Sequence, residues 1–270
     1  MTDGRPQAPS GHADVTGFDD PDFVELCAAV RALRDVSRGR VSSLGVALRA
    51  LPRVGRLRRS LGRLPSRAVP VSDGEEGQAI RSFFRRRFFD VHHLAAISTL
   101  TLPAEFDEYL RGRSRQAVRT NCSRAAKAGV TATCLRDDAL VRERMQDLFG
   151  RRADADGGAW YFERAALREG EFWFATAGDT ATLAMAEVIV DDSVALLRSM
   201  ISAPGDGRSD ARYLLTVELL ASLSRRGVRH VIVGRALSLP PGLAYFQKRL
   251  GFSPTNLTLL DVRRGDRRER

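Results

Sequence analysis

Residues 171–202 read EFWFATAGDTATLAMAEVIVDDSVALLRSMIS, and residues 212–233 read RYLLTVELLASLSRRGVRHVIV. The first stretch holds three β-rich runs, Glu171–Ala177, Thr182–Val190 and Ser193–Ser202. Gly178–Asp179 and Asp191–Asp192 lie between them, and short Gly/Asp pairs between apolar runs are hairpin turns, so the strands form an antiparallel meander. The second stretch is an amphipathic helix over Arg212–Arg226, stopped by Gly227. It continues as the near-continuous apolar run Val228–Val233, which suits a strand buried on both faces, as in parallel pairing. Meander, crossover helix and parallel strand together predict a mixed α/β fold.

Working upstream, Val130–Leu135 reads as a strand and Asp137 or Asp138 as the cap of a helix running to about Arg151. A further helix is expected around Tyr161–Arg168. Ser114–Lys127 is a helix with Ser114 as N-cap and Gly129 as stop, preceded by a helix start at Pro103–Arg111. Ala95–Leu102 is β-like. Glu75–Asp90 is a helix with Ile80, Phe83, Phe84 and Phe88 on one side, and Pro21–Val36 is another. Val41–Val71 carries Gly45, Pro52, Gly55, Gly62, Pro65 and Pro70, which favours short strands and loops. Downstream, Leu243–Leu250 is a short helix capped by Gly251, and Leu257–Val262 is a final strand. The expected division is a disordered tail over 1–17, a small incomplete basic N-terminal subdomain over 18–92, an α/β domain over 93–262 and a basic tail over 263–270.

The chain has 43 basic and 33 acidic residues, a formal charge of +10. All the basic residues but Lys127 and Lys248 are arginine. Codon bias can exchange lysine for arginine, but it does not decide where the charge sits. Residues 1–30 are acidic, with Arg5 opposed by Asp3, Asp14, Asp19, Asp20, Asp22 and Glu25. Residues 31–67 carry eleven arginines against Asp35 alone, and 111–127 hold six basic residues and no acid. Such blocks repel themselves unless an anion meets them, and the guanidinium fork matches phosphate. A phosphate-rich partner, RNA or a nucleotide-linked substrate, is therefore expected. No run of 18 apolar residues predicts a membrane span. Three cysteines, Cys27, Cys122 and Cys134, make no disulfide framework, and His92–His93 lack metal-ligand spacing, so no metal centre is expected. With no signal pattern at the N-terminus, a cytoplasmic location is expected.

The run Arg212–Phe252, read as helix, Gly, apolar strand, Gly and a short helix ending Gln247-Lys248-Arg249-Leu250-Gly251-Phe252, resembles the Gcn5-related N-acyltransferase (GNAT) superfamily. Ser114-Arg115-Gln116-Ala117-Val118-Arg119-Thr120-Asn121 through Ala128-Gly129-Val130 resembles the Arg-rich helix opening the acyltransferase domain of the FemXAB type. Leu64–Pro70 and the helix after it resemble the region before that domain. The likeness covers roughly 60–262. It implies a mixed, mainly antiparallel sheet flanked by helices, and transfer of an amino acid from aminoacyl-tRNA to an amine. FemXAB members acting on cell-wall precursors resemble two such domains in tandem. This chain is too short for two and shows no heptad segment, so a smaller acceptor, a peptide or metabolite, is expected. The family's Phe-Lys step reads Phe246–Gln247 here, with Lys248 one place later.

The resemblance places the pyrophosphate loop of CoA-using members at Asp206-Gly207-Arg208-Ser209-Asp210-Ala211, where only Ala211 fits. Carboxylates oppose a pyrophosphate, so no CoA cofactor is expected and acetyl-CoA is kept as the alternative donor. A non-catalytic RNA-binding relative is a second alternative. Aminoacyl transfer needs a deprotonated amine, a stabilised oxyanion and a protonated leaving hydroxyl. The GNAT-like layout draws the oxyanion donor from backbone N–H where strands 193–202 and 228–233 splay apart. Across the Asp191–Asp192 hairpin, Glu187 is expected opposite Leu196 and diagonal to Arg198; it is the candidate base or amine anchor, or else half of a surface ion pair. The resemblance makes Tyr245 a candidate proton donor, with core packing as the other reading. It also makes Lys248 a candidate cation near the ester, and Phe246, Gln247 and Arg249, with Arg198, candidate substrate contacts. Arg113, Arg115, Arg119, Arg124 and Lys127 are candidates for the tRNA acceptor arm, extended by Arg56, Arg58, Arg59, Arg63 and Arg67.

Overall fold

The computed structural model describes residues 17–37, 61–85, 93–150, 170–178, 181–203, 209–237 and 239–262. The expected helix at 161–168, the tail segments 1–16 and 263–270, and Asp206, Gly207 and Arg208 lie outside these residues, as do Arg56, Arg58 and Arg59. Among the described residues eight strands make one sheet in the order β1-β8-β2-β7-β6-β5-β4-β3. They are β1 (Ser66–Ser72), β2 (His93–Thr101), β3 (Val130–Leu135), β4 (Glu171–Ala177), β5 (Ala181–Asp191), β6 (Val194–Ser202), β7 (His230–Arg235) and β8 (Ser253–Val262). Only β1/β8 and β6/β7 pair in parallel; the remaining neighbours are antiparallel. The expected mixed, mainly antiparallel sheet flanked by helices is present.

Strand alternation sends successive side chains to opposite faces, and the core follows it. Ala184, Ala186 and Val188 of β5 and Ala195 and Leu197 of β6 share one cluster. Helices α4 (Gln116–Lys127), α6 (Ser209–Arg225) and α7 (Pro241–Arg249) join that cluster through Val118, Leu215, Leu219, Leu223 and Phe246. On the other face, α2 (Glu75–Arg85) buries Ile80 and Phe84 against Val69, Ile189 and Leu196. Beside it, α5 (Asp138–Gly150) buries Met145 and Leu148 against Phe172, Phe174 and Met185. Helix α1 (Pro21–Ser37) seats Phe23 and Leu26 on Leu64, Ala96 and Ala236. Each Val, Leu, Ile, Phe or Met side chain among them contributes about 1.5–3 kcal/mol when fully enclosed. No helix among the described residues is long and apolar enough to cross a membrane.

Several expected boundaries shift. Ser114 does not cap a helix: Arg113–Arg115 forms a 3-10 turn, and α4 starts at Gln116 with no side-chain cap. Between β2 and that turn only Phe106–Tyr109 (α3) is α-helical. Asp137 is the cap of α5, accepting from the Leu140 N–H at 2.9 Å. The strand expected at 228–233 begins two residues later. After Gly227 (φ +84), the Val228 N–H still bonds back to Leu223 O, and Arg229 and His230 both donate to Ser193 O. The final strand begins four residues early, because Ser253, Pro254 and Thr255 pair with β2 despite their polar or proline character. Ser209, Asp210 and Ala211, read from sequence as the end of a loop, already form the first turn of α6. Strand β1, from the segment assigned to the N-terminal part, is the parallel neighbour of β8.

Candidate functional site

The ladder between β6 and β7 lasts three pairs, Val194↔His230, Ala195↔Val231 and Leu196↔Ile232. Beyond it β6 runs on to Ser202 and β7 to Arg235, so the two strands part after Leu196 and Ile232; the resemblance implied a splay between these strands without fixing where. A β-bulge sits at that point: Val188 faces Leu197 and Glu187 faces Ser199, leaving Arg198 as the extra residue. The expected Glu187↔Leu196 pairing is thereby corrected. Asp191 pairs with Val194, so the hairpin turns at Asp192–Ser193 instead, with Asp192 left-handed at φ +55. Asp tolerates that conformation better than most residues. The turn moves the register by two residue numbers and the bulge by one more.

Glu187 and Arg198 nevertheless meet. Arg198 Nη2 donates to Glu187 Oε1, and Ser199 Oγ donates to Oε2 at 3.4 Å. Glu187 is 0% exposed and Arg198 8%, so this is a buried pair rather than the surface ion pair weighed from sequence. A buried pair gives up its hydration, and its worth lies in fixing a geometry more than in net stability. Its neighbours Met185 and Ile189 belong to the α5 and α2 clusters, so Glu187 projects to that face. Tyr245 and Lys248 ride on α7, which joins the opposite cluster. The three candidate catalytic residues are therefore not brought together around one point.

On α7, Phe246 is 3% exposed and packs edge-on against Tyr213 with ring centroids 4.8 Å apart. Gln247 is equally enclosed and accepts from Ser98 Oγ at 2.7 Å. These two proposed substrate contacts are core residues. Tyr245 is 54% exposed, which excludes the core-packing reading, and the Arg249 guanidinium lies 4.8 Å above its ring. Lys248 Nζ is ion-paired with Asp19, in a turn just before α1.

Sequence reasoning missed Arg212 and Tyr213, in the first turns of α6. Arg212 Cζ sits 4.0 Å over the Phe246 ring. Burial lowers its pKa from the ordinary guanidinium value. Burial also pushes the Tyr213 hydroxyl up, against the pull of Arg212 and Arg249. The Nε of Arg212 and of Arg249 are shielded from water with no hydrogen-bond partner among the described residues, a cost of about 1–3 kcal/mol for a lone buried donor. The only hint in the sequence was a basic-aromatic pair at a helix start, which has no periodicity to betray it.

The residues read as an RNA surface divide into two groups. Arg113, Arg124 and Lys127 are exposed. Arg119 Nη1 donates to the carbonyls of Leu110 and, at 3.0 Å, Gly112. Arg115 is half-buried: Nη1 donates to Arg249 O at 3.2 Å, and the guanidinium lies 5.2 Å over Tyr109, whose hydroxyl bonds Leu250 O at 2.7 Å. These two arginines tie the start of α4 to the end of α7 and to the loop before it. Arg63 pairs with Asp22 at 3.2 Å, and Arg67 Nη1 lies 3.4 Å from His230 Nδ1.

No family model and no curated protein matches this chain. Solved structures of similar fold include FemX, with 11% identity over 59% of this chain and 59% of that one, at a TM-score of 0.47. A C-terminal domain assigned to a lysylphosphatidylglycerol synthetase from Agrobacterium fabrum is 18% identical over 60% and 58%, at 0.43. L-PGS from Bacillus licheniformis is 12% identical over 61% and 60%, at 0.42. In each case the chain spans less than two thirds of the other's length.

Proposed function

We propose that this chain is a GNAT-type N-acyltransferase that moves an aminoacyl group from aminoacyl-tRNA to an amine-bearing peptide or metabolite, forming an amide. The observation that carries the reading is the parting of β6 from β7 at the Arg198 bulge. The resemblance of 114–130 and 212–252 to FemXAB-type enzymes, and the basic blocks, support the choice of donor. The amine nitrogen attacks the ester carbonyl, the C–N bond forms, and the C–O bond to the tRNA ribose breaks. The amine gives up a proton, and the ribose hydroxyl leaves with one.

Within this reading, backbone N–H groups of β6 beyond Leu196 stabilise the oxyanion, because the ladder with β7 stops there. Glu187 acts through Arg198 to hold the bulge. As a base it would first have to leave that partner, so we assign it a positioning role. Tyr245, exposed on α7, donates the proton to the leaving hydroxyl, and Lys248 supplies positive charge once released from Asp19. Arg113, Arg124 and Lys127 meet acceptor-arm phosphates. No cofactor beyond the donor substrate is required.

The test is transfer of a labelled amino acid from charged tRNA by the purified protein, with and without RNase. RNase-sensitive product supports the reading. Transfer that survives RNase and requires acetyl-CoA replaces it with the acyl-CoA alternative.

A further inference from the structure

Residues 17–30 carry four acids, Asp19, Asp20, Asp22 and Glu25, and no base, in a chain of net charge +10. Apolar contacts seat this segment. Phe23 and Leu26 are enclosed with Leu64, Ala96 and Ala236, and Phe18 meets Phe23 edge-on with ring centroids 6.1 Å apart. Gly17 lies so close to Pro254 that a Cβ on it would be 3.0 Å from the proline Cγ. Asp20 serves the helix: its Oδ1 accepts from the Asp22 N–H at 2.8 Å and the Phe23 N–H at 3.4 Å, capping α1 ahead of Pro21. Asp19 and Asp22, on either side of that cap, each meet a cation from a different part of the chain. Lys248 Nζ of α7 is ion-paired with Asp19 Oδ2, and Arg63 Nη1 lies 3.2 Å from Asp22 Oδ2. The two acids are three residues apart, so their Cα atoms lie within about 11 Å of each other. One turn therefore gathers two cations that are distant in sequence.

Both cations are ones that the sequence reading gave to a substrate, Lys248 near the ester and Arg63 along the acceptor arm. Each carboxylate is more than half exposed, so water and salt reach both pairs, and such pairs exchange readily. The apolar anchors, not the ion pairs, hold the turn in place. An incoming phosphate must then take each cation from an acid that stays beside it. We propose that the 19–22 turn is an autoinhibitory phosphate mimic, which masks Lys248 and Arg63 until a polyanion with neighbouring phosphates displaces it from both. Isolated anions are turned away, because each wins one weak contact against a carboxylate already in position. That the polyanion is RNA rests on the proposed function; the masking of the two cations does not.

The experiment is calorimetric titration of the full chain, over a range of salt, with an acceptor-stem RNA hairpin ending in CCA and with inorganic polyphosphate. D19N and D22N each keep the side chain's shape and remove one acid. Each is expected to tighten binding about fivefold at 0.1 M salt and to steepen the salt slope by about 0.7–0.9, because an unmasked cation gives up a counterion when phosphate takes its place. E143Q removes one exposed charge from α5 and controls for net charge. In K248Q the gain from D19N is expected to vanish, and in R63Q the gain from D22N, as interacting pairs require. Tm is expected to stay unchanged in D19N and D22N. Gains no larger than that of E143Q overturn the mask, as does a D19N gain that survives in K248Q or a failure of D19N/D22N to bind either polyanion. The full pattern with polyphosphate but not with the hairpin keeps the mask and removes RNA as its partner. The full pattern with the hairpin, but no transfer from charged tRNA, keeps the mask while the acyltransferase reading falls.

Discussion

Arg198 Nη2 donates to Glu187 Oε1 across a bulge in the β5–β6 ladder, two residues beyond the last β6–β7 pair. The pair thus ties the register of the meander to the opening of the sheet. Removing one partner strands a buried charge, which costs about 3–5 kcal/mol. E187A is therefore expected to lower Tm strongly. E187M/R198M, which removes both charges, is expected to recover much of the loss. A double variant as unstable as the single one would show that the pair is not the relevant interaction.

Two glycines test backbone fit by different routes. A Cβ at Gly77 would lie 2.1 Å from the Ser72 carbonyl oxygen, a backbone atom that cannot step aside. A Cβ at Gly251 would lie 1.9 Å from Arg115 Nη2, the end of a flexible side chain, at a φ of +82. G251A is expected to cost about 1–2 kcal/mol for the left-handed backbone, plus the Arg115–Arg249 contact. G77A is expected to be the more damaging in chemical denaturation. Only G251A should lose sensitivity to a further R115A change.

His230 gives a signed pH dependence. Burial, and then Arg67 beside it, hold its pKa below 6.5 in the folded chain. The unfolded chain binds the proton more readily, so the stability difference is full above about pH 6.5 and is lost as pH falls toward the folded value. H230N is expected to flatten that part of a Tm-versus-pH curve between about pH 7 and 5. An equally steep curve in the variant would assign the slope to other groups.

The cysteines should be slow. Burial raises the Cys27 thiol to about 11 and Cys122 to about 12, and raises Cys134 as well. Since the thiolate is the reactive form, all three are expected to resist a thiol reagent at pH 8 until the chain is unfolded. A fast-reacting fraction in native protein would contradict this.

Neutralising Arg113, Arg124 and Lys127 together is expected to weaken RNA binding and to lower the salt slope by about 0.7–0.9 per lost phosphate contact, with Tm unchanged. R115Q/R119Q should instead lower Tm, because both side chains bond backbone carbonyls. An unchanged salt slope in the triple variant would remove the helix from the RNA surface.

Much of this chain was written locally. The meander, the crossover helix and the stops at Gly129, Gly227 and Gly251 follow from period, turn chemistry and positive φ, all properties of neighbours in sequence. The Glu187 and Arg198 candidates were legible too, because they interrupt apolar runs, whereas a splay between β6 and β7 was expected only from the family resemblance and its position came from the ladder. Beyond reach was everything set by contacts between distant segments. A bulge and a one-residue turn shift decide that Glu187 meets Ser199 rather than Leu196. Enclosure, which no spacing encodes, turns Phe246 and Gln247 inward and leaves Tyr245 outside. Arg115 reads like Arg124 in the sequence, yet only Arg115 reaches Arg249 and Gly251, because the start of α4, and not its end, lies against the end of α7. The sequence by itself determined which residues are strands, helices and cations, since those are short-range choices. The tertiary structure alone decided which cations are fastened and which stay exposed, because a guanidinium binds whatever oxygen or ring the fold brings within about 3–5 Å of it.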